Sequence, residues 1–200
     1  MFKELGVKSF ILKAIEEKGF KEPTPVQTLC IPALMEGKDV VVQARTGTGK
    51  TAAFAIPAIQ KSFKREGIQV LILEPTRELT RQVDDEIMSL KKFIGLRIAS
   101  VFGGSSIINQ IRNLERGVEI IVGTPGRVKD LIDRGILKLE KVKLFVLDEA
   151  DEMLDMGFIE DVEYIMSKLP ISVQKGFFSA TFPQEIMDLV ERNMNEPEHI

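Results

Sequence analysis

The sequence predicts an α/β fold in which helices cover both faces of a parallel β-sheet. Apolar runs rich in β-branched and aliphatic residues alternate along the chain with segments of helical periodicity. This alternation is typical of a parallel sheet, because neighbouring parallel strands are joined by helical crossovers. The apolar runs are continuous, as expected for strands buried on both faces. The chain has 200 residues, 44% of them hydrophobic, which is enough for one domain with a substantial core.

Six strands and six following helices are predicted from Val40 onward. The predicted strands are Val40–Val42, Val70–Leu73, Arg97–Val101, Glu119–Val122, Leu144–Leu147 and Gly176–Phe178. The predicted helices are Gly49–Gln60, Arg77–Phe93, Ser106–Arg116, Gly126–Arg134, Ile159–Lys168 and Pro183–Asn193.

Two further helices are predicted before the first strand. Ser9–Lys18 has helical periodicity and stops at Gly19. A second helix starts near Pro25 and carries Gln27 to Leu34, and Pro32 is expected to kink or end it. At the other end of the chain, Asn195–Ile200 is expected to be a polar exit rather than a packed end.

The segment Ala44–Thr51, with the sequence ARTGTGKT, predicts a phosphate-binding P-loop between the first strand and its helix. Gly47 and Gly49 allow a tight turn whose backbone N–H groups form an anion cradle at a helix N-terminus. Lys50 can reach the β- and γ-phosphates of a nucleotide, and the Thr51 hydroxyl can bind Mg²⁺. Ala44 stands where a first glycine is usual, so the loop entry is expected to differ. The alternative is a Gly/Thr-rich surface turn that happens to precede a lysine.

Composition and charge exclude several classes of site. Cys30 and His199 are each the only residue of their type, which leaves no material for a disulfide framework, a thiolate metal cluster or a histidine triad. The net charge of −3 gives no global support for nucleic-acid binding, so any such binding needs a local patch. No apolar run approaches the length of a membrane span, and the N-terminus does not resemble a secretion signal. A cytoplasmic location is therefore expected.

Polar clusters follow every predicted strand. Because ligands of such sheets bind at the carboxyl ends of the strands, these clusters are expected to share one edge. In chain order they are Ala44–Thr51, Pro75–Arg77, Gly103–Gly104, Gly123–Arg127, Asp148–Glu149 and Ser179–Thr181.

Asp148 and Glu149 end an apolar strand and predict the second half of an ATP site. An aspartate in this position of a P-loop ATPase holds Mg²⁺ opposite the P-loop hydroxyl, here that of Thr51, directly or through water. Glu149 can orient and deprotonate the attacking water. Glu149, Lys50 and Asp148 are thus the candidate catalytic residues. The alternative is that the carboxylates simply follow a strand on a solvated surface.

Taken together, these motifs resemble those of the DEAD-box RNA helicases. Asp148-Glu149-Ala150-Asp151 is the family signature, and Asp151 instead of His separates the chain from the DEAH relatives. The remaining motifs stand in the family's order: the glutamine motif at Gly19–Gln27 with Phe2 as its upstream aromatic, the P-loop, PTREL at Pro75–Leu79, Gly103-Gly104, TPGR at Thr124–Arg127, and SAT at Ser179–Thr181. The resemblance implies a RecA-like P-loop domain that uses ATP and Mg²⁺.

The resemblance also implies how the nucleotide is read. Gln27 is expected to pair with adenine, as a carboxamide can with N6 and N7, and so to favour ATP over GTP. Phe20 is expected to lie against the adenine face, although a buried core aromatic is an equal alternative for it. The nucleotide-binding residues are then Phe20, Glu22 and Gln27, together with Ala44, Arg45, Thr46, Gly47, Thr48, Gly49, Lys50 and Thr51.

The RNA contacts implied by the resemblance involve backbone phosphates, with little sequence preference. They fall on Thr76, Arg77, Gly103, Gly104, Thr124, Gly126 and Arg127. For Arg77 and Arg127 the alternatives are a helix-start surface charge or an internal ion pair. Asp151, Ser179 and Thr181 are expected to link the ATP site to the RNA contacts.

The domain organisation is predicted as one ATP-binding domain over residues 1–200, with a glutamine-motif region at 1–39 and a P-loop core at 40–200. The second RecA-like domain of the family, which supplies an arginine finger, is absent from this sequence. The chain is thus interpreted as the N-terminal domain of a longer helicase. We expect the isolated domain to be monomeric, to have no membrane partner, and to hydrolyse ATP and unwind RNA weakly.

Two other functions remain possible from sequence. One is a free-standing ATP- and RNA-binding module without a second domain, which the short chain length favours. The other is a different P-loop motor, such as a DNA translocase, against which Gln27, Phe20 and Asp151 argue.

Overall fold

The computed structural model describes residues 1–200 and contains seven strands and nine α-helices. The strands are Val40–Gln43 (β1), Val70–Leu73 (β2), Ile98–Val101 (β3), Ile120–Gly123 (β4), Leu144–Leu147 (β5), Gln174–Ser179 (β6) and Glu198–His199 (β7). The helices are Ser9–Glu17 (α1), Pro25–Glu36 (α2), Lys50–Lys61 (α3), Arg77–Leu90 (α4), Ile107–Glu115 (α5), Pro125–Asp133 (α6), Ala150–Asp155 (α7), Ile159–Ser167 (α8) and Gln184–Asn193 (α9). A 3₁₀ helix, Phe2–Leu5, precedes them.

All strands are parallel and form one sheet in the order β3-β4-β2-β5-β6-β1-β7. The predicted parallel sheet and its six predicted strands are confirmed. Because the strands are parallel, the loops that follow them gather at one edge.

Helices cover both faces of the sheet, as predicted, and two hydrophobic clusters fill the interfaces. In β2, Val70 and Ile72 belong to the cluster beneath α1–α4, whereas Leu71 and Leu73 belong to the cluster beneath α5–α9. Successive side chains of a strand point to opposite faces, so every position of a doubly covered strand must be apolar.

The second helix does not end at Pro32, which was one of the two effects expected of this proline. Helix α2 continues through Pro32 to Glu36 and ends at Gly37, whose φ of 89° is left-handed. The neighbours Ile31 and Leu34 are fully buried. Their packing offsets the one backbone hydrogen bond that a proline removes.

The expected polar exit at the C-terminus is also wrong. Glu198 and His199 form β7, which pairs in parallel with Val40 and Val41 of β1. The Ile200 N–H donates to the carbonyl of Val41 over 2.9 Å. Backbone groups make these bonds, so polar side chains do not prevent the pairing.

Helix α7 was not predicted. It has six residues and starts directly after Glu149, without the Gly or Pro that marks most element boundaries in this chain. Cys30 is fully buried in the core, as predicted for a small apolar side chain. No helix in the structure combines the length and the apolar surface that crossing a lipid bilayer requires.

Candidate functional site

The P-loop Ala44–Thr51 joins β1 to α3, which is the setting the motif needs. Gly47 and Gly49 have left-handed φ values of 84° and 93°. Lys50 is the first residue of α3, so the helix N-terminus faces the loop. Ala44 is not left-handed, and its N–H donates to the carbonyl of Ser179 over 3.0 Å. The loop entry is thus tied to β6, and the surface-turn alternative does not describe this segment.

Gln27 lies against the P-loop. It is 4% exposed, its Nε2 donates to the Gly49 carbonyl over 3.1 Å, and its Oε1 accepts from the Thr24 N–H over 3.1 Å. A Cβ added at Gly49 would lie 2.5 Å from the Gln27 Nε2, so this approach requires glycine as well as the left-handed φ. The amide retains one N–H and one oxygen lone pair for a base.

A cavity of about 340 Å³ joins the glutamine motif to the P-loop and the acidic strand end. Among the side chains that line it are Phe20, Gln27, Lys50, Thr51 and Glu149. Phe20 is 38% exposed, so the core-aromatic alternative is wrong and its ring is available to a ligand. The same cavity is lined by four residues of α4: Leu79, which ends the PTREL motif, and Gln82, Val83 and Glu86, which no sequence motif marked.

Lys50 is a buried cation held by two carboxylates. Its Nζ lies 2.8 Å from Glu149 Oε1 and 3.7 Å from Asp148 Oδ1. All three residues are at most 9% exposed, so the solvated-surface alternative for the acidic pair is wrong. Burial raises the pKa of Asp148 to about 7, although the Lys50 ammonium opposes this rise. The Lys50 side chain thus connects the P-loop to the acidic end of β5.

The backbone of Glu149 is left-handed, with φ 49° and ψ 52°. A non-glycine residue in this region costs on the order of 1–3 kcal/mol and persists where the surroundings enforce it. Glu149 stands between the end of β5 and the start of α7, and its N–H donates to Asp148 Oδ1 over 2.9 Å. The sharp turn aims the two adjacent carboxylates at the same cation.

Glu74 is a third buried carboxylate that the sequence reasoning missed. It follows Leu73, the partner of Leu147 in the β2–β5 register, and so stands beside Asp148. Glu74 is fully buried, and neither carboxylate oxygen has a hydrogen-bond partner. Burial raises its pKa well above the ordinary value, and the charges of Asp148 and Glu149 add to the rise. The sequence feature that could have identified Glu74 is its position as the single acidic residue between an apolar strand and Pro75.

Asp151, Ser179 and Thr181 join α7 to the end of β6. The Asp151 N–H donates to Ser179 Oγ over 3.1 Å, and Thr181 donates to Asp151 Oδ2 from its N–H (3.0 Å) and its hydroxyl (2.7 Å). Partial burial alone would raise the pKa of Asp151, but hydrogen bonds from Ser179 and Thr181 outweigh it and lower the pKa. These three residues therefore form one hydrogen-bonded group.

Thr76 and Arg77 start α4 beside the glycine pair. Thr76 caps the helix by accepting the Leu79 N–H at its Oγ1 over 3.2 Å. Arg77 Nη1 lies 3.5 Å from the Gly104 carbonyl, and its Nε is buried without a partner. Its guanidinium lies 5.3 Å from the ring centroid of Phe102. No carboxylate lies within ion-pair distance of Arg77, so an internal ion pair does not hold it.

Arg127 in α6 is positioned by the neighbouring loop. Its Nη1 donates to Gln110 Oε1 over 2.9 Å, and both Nη atoms face the Ser105 carbonyl at 3.4–3.5 Å. Arg127 also has no carboxylate within ion-pair distance. Thr124 is the N-cap residue of α6, and Gly126 is exposed. Gln110, 7% exposed and bonded to the Phe102 carbonyl, was missed because nothing in α5 marks it as different from any helix glutamine.

The structure thus forms two groups at one edge of the sheet. One group surrounds the cavity and consists of the P-loop, Gln27, Phe20 and the acidic pair. The other group lies at the carboxyl ends of β2, β3 and β4 and consists of Thr76-Arg77, Gly103-Gly104 and Thr124–Arg127. Thr46 lines the cavity, whereas the Thr48 hydroxyl donates to the Arg45 carbonyl. Glu22 and Arg45 are exposed and their side chains contact none of these residues by hydrogen bond or ion pair.

A family model described as DEAD/DEAH box helicase matches residues 24–189 of the chain. The chain is 50% identical over 198 residues to the DEAD-box ATP-dependent RNA helicase CshA of Geobacillus kaustophilus, covering 98% of this chain and 42% of that protein. It is also 50% identical over 196 residues to the RNA helicase CrhR of Synechocystis, covering 98% of this chain and 40% of that protein. The chain therefore spans about two fifths of the length of these relatives.

Solved structures agree with the sequence comparison. A DEAD box protein from the hyperthermophile Methanococcus jannaschii superposes with a TM-score of 0.97 at 49% identity, covering all of this chain and 55% of that one. A hypothetical ATP-dependent RNA helicase from Sulfolobus tokodaii superposes with a TM-score of 0.90 at 41% identity, covering 96% of this chain and 56% of that one.

Replacing Glu74 by Gln should make the chain less sensitive to pH. A carboxyl whose pKa is raised by folding stabilises the fold below its unfolded pKa, and this contribution is lost as the pH rises toward the folded pKa. Each pH unit in that window costs up to about 1.4 kcal/mol. Relative to wild type, Glu74→Gln should therefore gain stability as the pH rises above the unfolded pKa, which is measured by chemical denaturation at one pH near that value and at one higher pH.

The control is Glu78→Gln, four residues along the chain, where the carboxylate is exposed and has no ion pair. That substitution should leave the pH dependence unchanged. A stability difference between Glu74→Gln and wild type that is the same at both pH values would show that Glu74 carries no raised pKa.

Proposed function

The chain belongs to the DEAD/DEAH box helicase family, and we propose that it is the N-terminal, ATP- and RNA-binding RecA-like domain of an ATP-dependent RNA helicase. One observation carries the proposal: the P-loop cation Lys50 is buried against the carboxylates of Asp148 and Glu149 at the end of a cavity lined by Phe20 and Gln27. The residues that would bind the base, the phosphates and the attacking water then follow one another along a single cavity.

ATP binding exchanges the partners of Lys50. The triphosphate occupies the P-loop cradle, and Lys50 leaves Glu149 for the β- and γ-phosphates. The exchange favours nucleotides with a γ-phosphate, because a buried ammonium separated from two carboxylates needs equivalent negative charge. Phe20 stacks on the base, and the free N–H and lone pair of Gln27 read adenine.

The donors at the strand end fit Mg²⁺, which prefers oxygen ligands and retains several waters. The Thr51 hydroxyl and the Asp148 carboxylate would hold the ion, which when bound supplies charge neutralisation at the phosphates. Glu149, released from Lys50, accepts a proton from the attacking water. The strained backbone of Glu149 fixes the direction of that carboxylate before the substrate arrives.

RNA lies along the ends of β2, β3 and β4 with its backbone toward the protein. Arg77 and Arg127 present guanidinium groups with no carboxylate partner, and the exposed Gly103 and Gly104 allow close approach of the sugar-phosphate chain. Thr76, Thr124 and Gly126 add hydroxyl and backbone donors. These groups contact phosphates and sugars, so sequence preference is weak.

The parent chain supplies the rest of the active site. The relatives are more than twice as long as this chain, and we propose that a second RecA-like domain contributes an arginine finger. The 200 residues here form a single domain, with residues 1–39 reading the base and residues 40–200 holding the phosphates and RNA. The domain alone is monomeric, and it acts with ATP and RNA in the cytoplasm.

The proposal is tested by RNA-stimulated ATP hydrolysis in the full-length parent protein. RNA should accelerate hydrolysis, Glu149→Gln should abolish turnover while retaining ATP binding, and the 200-residue chain should be slower by ~10³–10⁵ without the arginine finger. Glu160→Gln, which removes an exposed carboxylate of α8, is the matched control. If the parent protein has no residues beyond these 200, the chain is a free-standing binding module. If DNA but not RNA stimulates hydrolysis, the protein is a DNA translocase.

The hydrogen bonds of Thr181 to Asp151 generate a second prediction. Thr181→Ala removes the 2.7 Å hydroxyl bond that joins the end of β6 to α7, so duplex unwinding by the full-length protein should fall more than its ATPase rate. Thr181→Ser restores the hydroxyl and should restore unwinding. If Thr181→Ala lowers both activities equally, the residue does not couple them.

A further inference from the structure

A second polar cavity lies at the amino ends of β2, β3 and β4, on the opposite edge of the sheet from the nucleotide site. Its volume is about 540 Å³. Four cationic side chains line it, those of Lys64, Arg65, Arg97 and Arg116, and one carboxylate, that of Glu119. We call this cavity the basic cleft.

The cations of the basic cleft have no acidic partners. No carboxylate oxygen lies within 4.0 Å of the charged side-chain nitrogens of Lys64, Arg65, Arg97 or Arg116. Four cations and one carboxylate give a local charge of +3, in a chain whose net charge is −3. Concave walls of low dielectric focus such a charge and attract anions.

The carboxylate of Glu119 binds the backbone of two of these residues and forms no ion pair with their side chains. It is 4% exposed, its Oε1 accepts the Arg65 N–H over 2.9 Å and its Oε2 accepts the Arg97 N–H over 2.6 Å. One buried carboxylate thus fixes the backbone of two arginines from different loops. The Arg97 guanidinium donates to the Arg116 carbonyl, which links the third loop.

Glycines keep the cleft open. Gly67, Gly95 and Gly117 line it, and two of them are left-handed. A Cβ at Gly95 would lie 2.7 Å from Lys64 Nζ, so a side chain there would displace the ammonium from its present position. The nearby acidic residue Glu66 is paired with Lys143 at 3.5 Å and does not enter the cleft lining.

We propose that the basic cleft binds phosphate groups of the RNA strand beyond the segment that lies on Arg77 and Arg127. This inference rests on the proposed function. Strand β3 connects the two sites: Gly103 and Gly104 follow its carboxyl end, and Arg97 precedes its amino end. β3 is the outermost strand, so no further strand covers its free side between the two sites. Its four residues span only about 13 Å. RNA leaving the first site can therefore reach the cleft along this edge.

The test compares two fluorescent oligouridylates in anisotropy titrations with the 200-residue chain. One is short enough to fill only the Arg77–Arg127 site, and the other is about three times longer. The variant Lys64→Ala/Arg116→Ala removes two exposed cations whose side chains hold no ion pair. The control Lys3→Ala/Lys138→Ala also removes two exposed, unpaired cations and changes the net charge equally.

The cleft variant should bind the long RNA about 3- to 10-fold more weakly. Its plot of log affinity against log salt concentration should be shallower than that of wild type by about 1.4, because each of the two cations contributes about 0.7 on a single strand. Its affinity for the short RNA and the affinities of the control variant should not change. Equal loss for both RNAs, or no loss for either, would overturn the proposal. Tripolyphosphate is titrated in parallel: if the variant loses only that ligand, the cleft serves a free anion and the RNA assignment is wrong. If the wild-type chain binds neither RNA, the proposed function itself fails.

Discussion

The contact between Lys50 and the two carboxylates of the DEAD signature is the constraint on which the rest of the site depends. Lys50 comes from the start of α3, whereas Asp148 and Glu149 end β5. Burying these charges costs several kcal/mol for each ion, and the cost is offset only when they meet. The sheet order places β5, β6 and β1 side by side, which brings the P-loop after β1 close to the acidic pair after β5.

In the proposed function, a triphosphate would replace the carboxylates as the partner of Lys50. Glu149 would then be released toward the attacking water, so binding of the substrate would prepare the hydrolytic base. Glu74 adds a third carboxyl beside this pair, and neither of its oxygens has a hydrogen-bond partner. Its pKa is raised by the charges of Asp148 and Glu149, so the protonation of the three carboxyls is linked. Asp151 accepts two hydrogen bonds from Thr181, which join α7, the helix that follows the acidic pair, to the end of β6.

Much of this could be predicted from sequence because the signals are local. Continuous aliphatic runs predicted doubly buried strands, and the left-handed positions Gly47 and Gly49 were glycines in a recognisable loop. The misses have a common physical cause: they depend on neighbours distant in the chain. Glu74 is notable only because β2 pairs with β5, and Gln110 only because α5 begins beside Arg127. Helix α2 crosses Pro32 because its packing outweighs a local rule, and β7 forms through backbone bonds that polar side chains conceal.

The central claim is that Lys50 exchanges carboxylates for phosphates when ATP binds. The most direct measurement is a crystal structure of this chain with a non-hydrolysable ATP analogue and Mg²⁺. The exchange predicts Lys50 Nζ within hydrogen-bond distance of the β- and γ-phosphate oxygens and clearly farther from Glu149 Oε1 than the 2.8 Å of the free state. A bound nucleotide with the Lys50–Glu149 contact still intact would contradict it.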